Sequence, residues 1–247
     1  MALTTGRFVW RELLTHDLPR AKAFYGEVFG WKTRDVPMGD STYTLFDASG
    51  VEVAGAMAAP VREMPSHWLG YVHVSSVDDT LAAALAAGGK VVKPGTNIPD
   101  IGRFGIFFDD LGAATCAFCP TSEGKSPAPP KVGEFCWESI NTPDVAKTIA
   151  FYTQVYGWKT SPFGPDMTTF GLGDGMANQI ASITPAPAGV RAHWLNYVVV
   201  DKLAPARDRV KRLGGAILVE EIAVPGVGAF AVAQDPQQAA ICLFEGV

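Results

Sequence analysis

The chain has 247 residues, with 20 Lys and Arg against 25 Asp and Glu, a formal net charge of −5. Hydrophobic residues make up 48% and charged residues 18%, which excludes disorder for most of the chain; the acidic sign leaves no basic footprint for nucleic acid. No run reaches the length of a membrane span, the opening residues lack a signal-peptide core, and four cysteines in so long a chain point to a reducing cytoplasm.

In chain order, Phe8–Leu14 mixes aromatic and aliphatic residues and reads as a strand. Asp17 is placed to cap a helix with Pro19 in its first turn, and Leu18, Ala21, Phe24, Tyr25, Val28 and Phe29 recur at helical spacing. Gly30 stands where a left-handed end is wanted. Three short strands are expected at Trp31–Thr33, Thr42–Asp47 and Val51–Met57. The same order, strand, helix, three strands, begins again at His67. His67–Val74 is a strand, Ser76 and Asp79 have capping-box spacing, and Leu81, Ala84 and Leu85 give a helix closed by Gly88–Gly89. Lys90–Lys93, Arg103–Asp109 and Thr115–Cys119 are its three strands.

The whole pattern then repeats. Phe8 to Thr33 realigns with Phe135 to Thr160 at a constant offset of 127, with 12 of 26 positions identical, where chance would give about two. HWLGYVHV from His67 matches HWLNYVVV from His193, and the segment from Ile98 matches that from Val224, both at an offset of 126. The chain is therefore a duplication, with domains expected at 1–120 and 132–247, joined by a Pro/Ser/Gly-rich linker at Thr121–Lys131. Each half holds two βαβββ units.

This order resembles the vicinal oxygen chelate superfamily, which includes glyoxalase I, bleomycin-resistance proteins and extradiol dioxygenases. The carriers are D-x-x-R-A-x-x-FY-x-x-x-FGW from Asp17 to Trp31, its counterpart from Asp144 to Trp158, the pairs Gly88–Gly89 and Gly214–Gly215, and the turns starting at Asp109 and Asp235. The likeness is nearest to two-domain bacterial glyoxalase-like proteins. It implies an α+β fold of two tandem domains, each a curled sheet around a cavity with helices outside and ligands inside.

Many members of that superfamily hold a divalent metal with His, Gln and Glu. The matching positions here are Trp10 and Trp137 on the opening strands, a place near Leu69 and Leu195, and Cys116 and Cys242 on the last strands. Indole offers a metal no lone pair, and three or four converging donors are missing. The expectation is no metal and no cofactor, with the two cysteines acting as small hydrophobes.

Alternation along the strands brings Phe8, Trp10 and Glu12 to one face, and Phe135, Trp137 and Ser139 to its counterpart. The fifth strand adds His67, Leu69, Tyr71 and His73, and its repeat His193, Leu195, Tyr197 and Val199. Phe104, Ile106, Phe118 and Met57 supply apolar wall. Aromatic walls with a few polar groups suit a flat small molecule. The candidate ligand-binding residues are Trp10, Glu12, Met57, His67, Tyr71, His73, Phe104, Cys116, Phe118, Trp137, Ser139, His193, Tyr197 and Cys242. The same aromatics also fit a packed barrel interior, and Trp31 and Trp158 are expected in the core.

The leading expectation is a binder that sequesters or senses an aromatic compound, a homo-oligomer being compatible with the low charged fraction. The rival is a glyoxalase-type lyase, isomerase or dioxygenase. It would use Glu12 as general base with His73, or a metal held at unexpected register by Glu52, His67 or His73. A third class is a structural or regulatory partner protein with a filled interior.

Overall fold

The computed structural model describes residues 5–39, 41–122, 129–164 and 167–247; the centre of the expected linker, 123–128, lies outside them. In the first half, strand β1 (Phe8–Thr15) leads to helix α1 (Leu18–Phe29) and strands β2 (Lys32–Met38), β3 (Ser41–Ala48) and β4 (Val51–Ala58). Then come β5 (His67–His73), α2 (Val77–Ala86), β6 (Lys90–Ile98), β7 (Gly102–Phe108) and β8 (Ala114–Pro120). The second half repeats the order: β9 (Phe135–Thr142), α3 (Val145–Tyr156), β10 (Lys159–Phe163), β11 (Met167–Gly171) and β12 (Gln179–Pro185). It closes with β13 (His193–Val199), α4 (Leu203–Arg212), β14 (Ala216–Val224), β15 (Gly228–Gln234) and β16 (Ala240–Gly246).

The helices begin and end where their side chains dictate. Asp17, Ser76 and Asp144 each accept a hydrogen bond from the backbone N–H three residues on, which satisfies one of the unpaired donors of a first turn. Gly30 and Gly157 end α1 and α3 in the left-handed region, at φ 74° and 69°, which glycine enters without strain. Helix α4 starts on Lys202, which offers no capping oxygen; Glu245 from β16 replaces it, accepting from the Leu203 N–H at 2.8 Å and from Lys202 Nζ at 2.7 Å.

Each half supplies one open eight-stranded sheet, in the orders β2-β3-β4-β1-β5-β8-β7-β6 and β10-β11-β12-β9-β13-β16-β15-β14. The architecture is α+β, two tandem domains of repeated βαβββ units. Residue contacts group the chain into two compact units that each draw on both halves: Met1–Val9 with Leu69–Pro127 and Glu138–Trp194, and Trp10–Trp68 with Ala128–Trp137 and Leu195–Val247.

In the second of these units, helices α1 and α4 share a core of Leu13, Phe24, Tyr25, Trp31, Phe46, Trp68, Val198, Val210 and Leu243. The first unit repeats it with α2 and α3 around Phe107, Ile140, Phe151, Tyr152, Trp158, Phe170 and Trp194. Trp31 and Trp158 are 4% and 0% exposed, as expected of core residues. Each indole N–H donates to the carbonyl of a glycine in the lead-in of the other half: Trp31 to Gly133 at 2.6 Å and Trp158 to Gly6 at 2.9 Å. Both glycines have positive φ, 87° and 91°, and they are 127 residues apart.

A second pair of matched contacts explains the FY of the duplicated signature. Tyr25 Oη donates to Asp235 at 3.1 Å and accepts from Trp68 Nε1 at 2.9 Å. Tyr152 does the same with Asp109 at 3.1 Å and Trp194 at 2.9 Å. Each aspartate's other oxygen accepts two backbone N–H groups of its own turn, from Leu111 and Ala113 or from Gln237 and Ala239.

One assignment from alternation is corrected here. Phe8 does not line a face with Trp10; its ring packs 5.2 Å from Trp194 and 5.9 Å from Trp158. Phe135 likewise sits 5.7 Å from Trp31 and 5.8 Å from Trp68. Phe8 is a core residue and Phe135 packs half-buried against the other core, each at the start of its strand.

Candidate functional site

Within the second unit, β1, β3 and β4 carry one group of candidates. Parallel pairing sets Glu12 beside Gly55 and Leu14 beside Met57, so Glu12 and Met57 share the face away from the α1 core. Glu12 is 8% exposed. Trp10 lies on the same face and donates its indole N–H to Tyr43 Oη at 2.9 Å. The phenol of Tyr43 lies directly on Gly55: a Cβ placed there would fall 1.8 to 2.7 Å from its ring and hydroxyl. Gly55 is thus a floor that only a residue without a side chain can supply.

The same unit holds the last-module group. Tyr197 and Cys242 are register partners, and Tyr197 meets Phe230 edge-on at 5.1 Å. Trp137, Cys136 and Phe244 pack against this cluster. Cys242 is fully buried, and burial pushes its thiol pKa up.

Within the first unit, the equivalent group is Tyr71, Phe104, Cys116 and Phe118. Tyr71 pairs with Cys116, and its ring lies 6.5 Å from Phe104 and 6.1 Å from Phe118. His73, two residues on and paired with Phe118, shares this face. Its Nδ1 is buried and has no hydrogen-bond partner, whereas the matching position in the other half is Val199. Ser139 and Ser182 are register partners, 1% and 5% exposed, and nearby Thr169 donates to Gln179 at 2.6 Å. So where the first half sets a carboxylate beside a glycine, the second sets two hydroxyls.

The other two candidate histidines hold bonds of their own. His67 Nδ1 donates to Pro65 O at 2.8 Å, and burial lowers its pKa. His193 Nδ1 donates to Arg191 O at 2.9 Å, and its Nε2 accepts from Asn141 at 3.3 Å. Glu52, considered as a ligand at unexpected register, is half exposed at the start of β4 and ion-paired with Arg34; it is not on the Trp10 face.

The donor chemistry at the positions that would hold a metal does not fit one. Trp10 presents an N–H already spent on Tyr43, Leu69 and Leu195 present no donor, and the Cys116 and Cys242 thiols are buried. Among the described residues no three His, Cys, Asp or Glu side chains gather to hold an ion. No helix among them is long and apolar enough to cross a membrane.

Two members of the site were not singled out in the sequence. Tyr43 and Gly55 belong to it because the ring folds down onto the glycine. The only sequence signal was a lone glycine in a strand pattern, which marks close approach.

Comparison with known proteins bears on this arrangement. Residues 134–243 match the Glyoxalase/Bleomycin resistance protein/Dioxygenase superfamily, and residues 7–48 match the Bleomycin resistance protein-like N-terminal family. The chain is 32% identical over 241 residues to "Putative glyoxylase CFP32" of Mycobacterium tuberculosis, covering 93% of this chain and 91% of that protein. It is 23% identical over 237 residues to the anthracycline biosynthesis protein DauV of Streptomyces sp. strain C5, covering 89% and 86%. In fold it is similar to the Mn(II)-bound glyoxalase of Novosphingobium aromaticivorans, with a TM-score of 0.64 at 20% identity over 99% of this chain and 82% of that one.

Proposed function

Because the chain belongs to the glyoxalase/bleomycin resistance protein/dioxygenase superfamily, we propose that it binds a small aromatic molecule without a metal, for sequestration, resistance or sensing. The observation that carries this reading is the Trp10–Tyr43 pair. At Trp10, the position that the resemblance assigns to a metal ligand, an indole and a phenol are joined at 2.9 Å over a glycine floor, with Glu12 and Met57 on the same face. Such a face takes a flat ring by stacking and tolerates a cationic group beside the carboxylate. The aromatic groups at Tyr71, Phe104 and Phe118 and at Tyr197, Phe230 and Phe244 offer the same chemistry. The unpaired His73 Nδ1 gives a polar anchor in one of them. Likeness to a protein of anthracycline biosynthesis is in keeping with a polycyclic aromatic ligand.

The test is titration of the chelator-free protein with catechols, anthraquinones and aliphatic controls, read by quenching of tryptophan emission. Saturable quenching by the aromatic set, weakened at least about tenfold in Trp10→Phe with Gly55→Ala, is expected. Equal response to the aliphatic controls, or none to any, overturns the reading.

A second reading rests on the burial of Glu12. A carboxylate there can act as a general base on a bound substrate, taking a proton in a lyase or isomerase step. Turnover that is lost in Glu12→Gln while ligand quenching is retained supports that reading over simple binding.

A further inference from the structure

The repeat supplies an internal control for the four outer strands of the two open sheets, β2 and β6 in one, β10 and β14 in the other. An edge strand presents unpaired backbone donors and acceptors to any passing strand, and proline and lysine are the usual devices that refuse one. Strand β2 carries Lys32, Arg34 and Pro37; β6 carries Lys90, Lys93 and Pro94; β10 carries Lys159 and Pro162. Strand β14, AILVEEIAV, has no proline, lysine or arginine. At the offset of 126, Lys90, Lys93, Thr96 and Asn97 of β6 become Ala216, Val219, Ile222 and Ala223. Leu218, Val219 and Ile222 are 53%, 36% and 43% exposed.

Bulges do not explain the difference, because β6 and β14 are irregular at matching points, between Val91/Lys93/Thr96 and between Ile217/Val219/Ile222. The two charges on β14 are already neutralised by α4. Glu220 pairs with Lys211 at 2.9 Å, Glu221 with Arg207 at 3.4 Å, and Arg207 also donates to the Glu220 carbonyl. A charged partner strand therefore gains nothing at this edge, while an identical strand meets no repulsion.

We propose that β14 is the edge through which this chain associates with a second copy of itself. The two β14 strands pair antiparallel about a two-fold axis, as a self-complementary edge must. The pairing satisfies the outward backbone groups of both copies, apart from the Glu220 carbonyl that Arg207 already occupies, and covers Leu218, Val219 and Ile222 of each.

The experiment is sedimentation velocity of the full chain over a concentration series, beside the double variant Val219→Lys/Ile222→Thr, which writes the residues of β6 onto β14. The wild type is expected to sediment at twice the chain mass at micromolar concentration. The variant is expected to raise the dimer dissociation constant at least about a hundredfold, since like charges then face each other across the two-fold. Amide hydrogen exchange keeps the test sound if the variant misfolds: in the wild type, the amides of 216–224 should lose protection on dilution, and those of β6 should not change. A monomer at every concentration, a dimer that a folded variant does not weaken, or β14 amides that exchange freely in the dimer overturns the proposal.

Discussion

Asp109 and Asp235 show how far a single residue reaches. Burial is the main cause that raises both carboxyl pKa values above 3.8, and the backbone N–H groups of their turns oppose it. A carboxyl raised in the folded state holds its proton more tightly there than in the unfolded chain. Its contribution is therefore present at low pH and lost as pH climbs through the raised folded value. The urea midpoint of the wild type should accordingly gain on that of Asp109→Asn/Asp235→Asn as pH falls from about 6 to about 4. A gap that narrows over that range would contradict the assignment. Tyr25 and Tyr152, pushed up chiefly by burial, stay protonated throughout and keep donating.

At this scale the sequence was only half legible. Alternation put Trp10 and Glu12 on one face, as the strand pairing does, but it also enlisted Phe8 and Phe135. The period of two does not reveal which end of a strand runs into a core formed by residues more than 60 positions away. Asn196 was invisible too: it is fully buried, and neither amide atom has a hydrogen-bond partner, while its repeat position is Gly70. Pattern reading has no means of flagging a polar residue that violates the rule of satisfied burial.

Elements were far more legible than faces, because caps and periodicity are local. Ser76 accepts from Asp79 N at 3.2 Å, as the capping-box spacing implies. Ser76→Ala should therefore cost about 1 kcal/mol in chemical denaturation, with no effect on ligand quenching; an unchanged midpoint would show that the cap is idle. The start of α4 was not legible. Its capping carboxylate, Glu245, lies 42 residues from Leu203 and on another strand. The strands lengthened at their ends, with β6 running to Ile98 rather than Lys93, since Pro94 and Gly95 read as a stop but sit in the irregular part of an edge.

For the whole molecule, the duplication was evident from the offset alone, and the family from the paired signatures. How the compact units draw on the halves was not evident, because a tandem repeat is compatible with pairing inside or across its copies. The contacts that decide it are Trp31 with Gly133, Trp158 with Gly6, Tyr25 with Asp235 and Tyr152 with Asp109. Each joins one half to the other within a unit. Residues 1–122 expressed alone lack Gly133 and Asp235, which accept from Trp31 and Tyr25, so no cooperative monomer is expected from either half. Mixing the two should restore the near-ultraviolet circular dichroism of the intact chain. A half that unfolds cooperatively as a monomer would contradict that expectation.

The functional proposal stands on the indole, aliphatic and buried thiol groups found at the positions that the family resemblance assigns to metal ligands. Its most direct test is elemental analysis of the full chain purified without chelator, followed by calorimetric titration with Mn²⁺, Zn²⁺, Ni²⁺ and Fe²⁺. The account predicts metal far below one equivalent and no saturable heat. One tightly held ion per chain would contradict it.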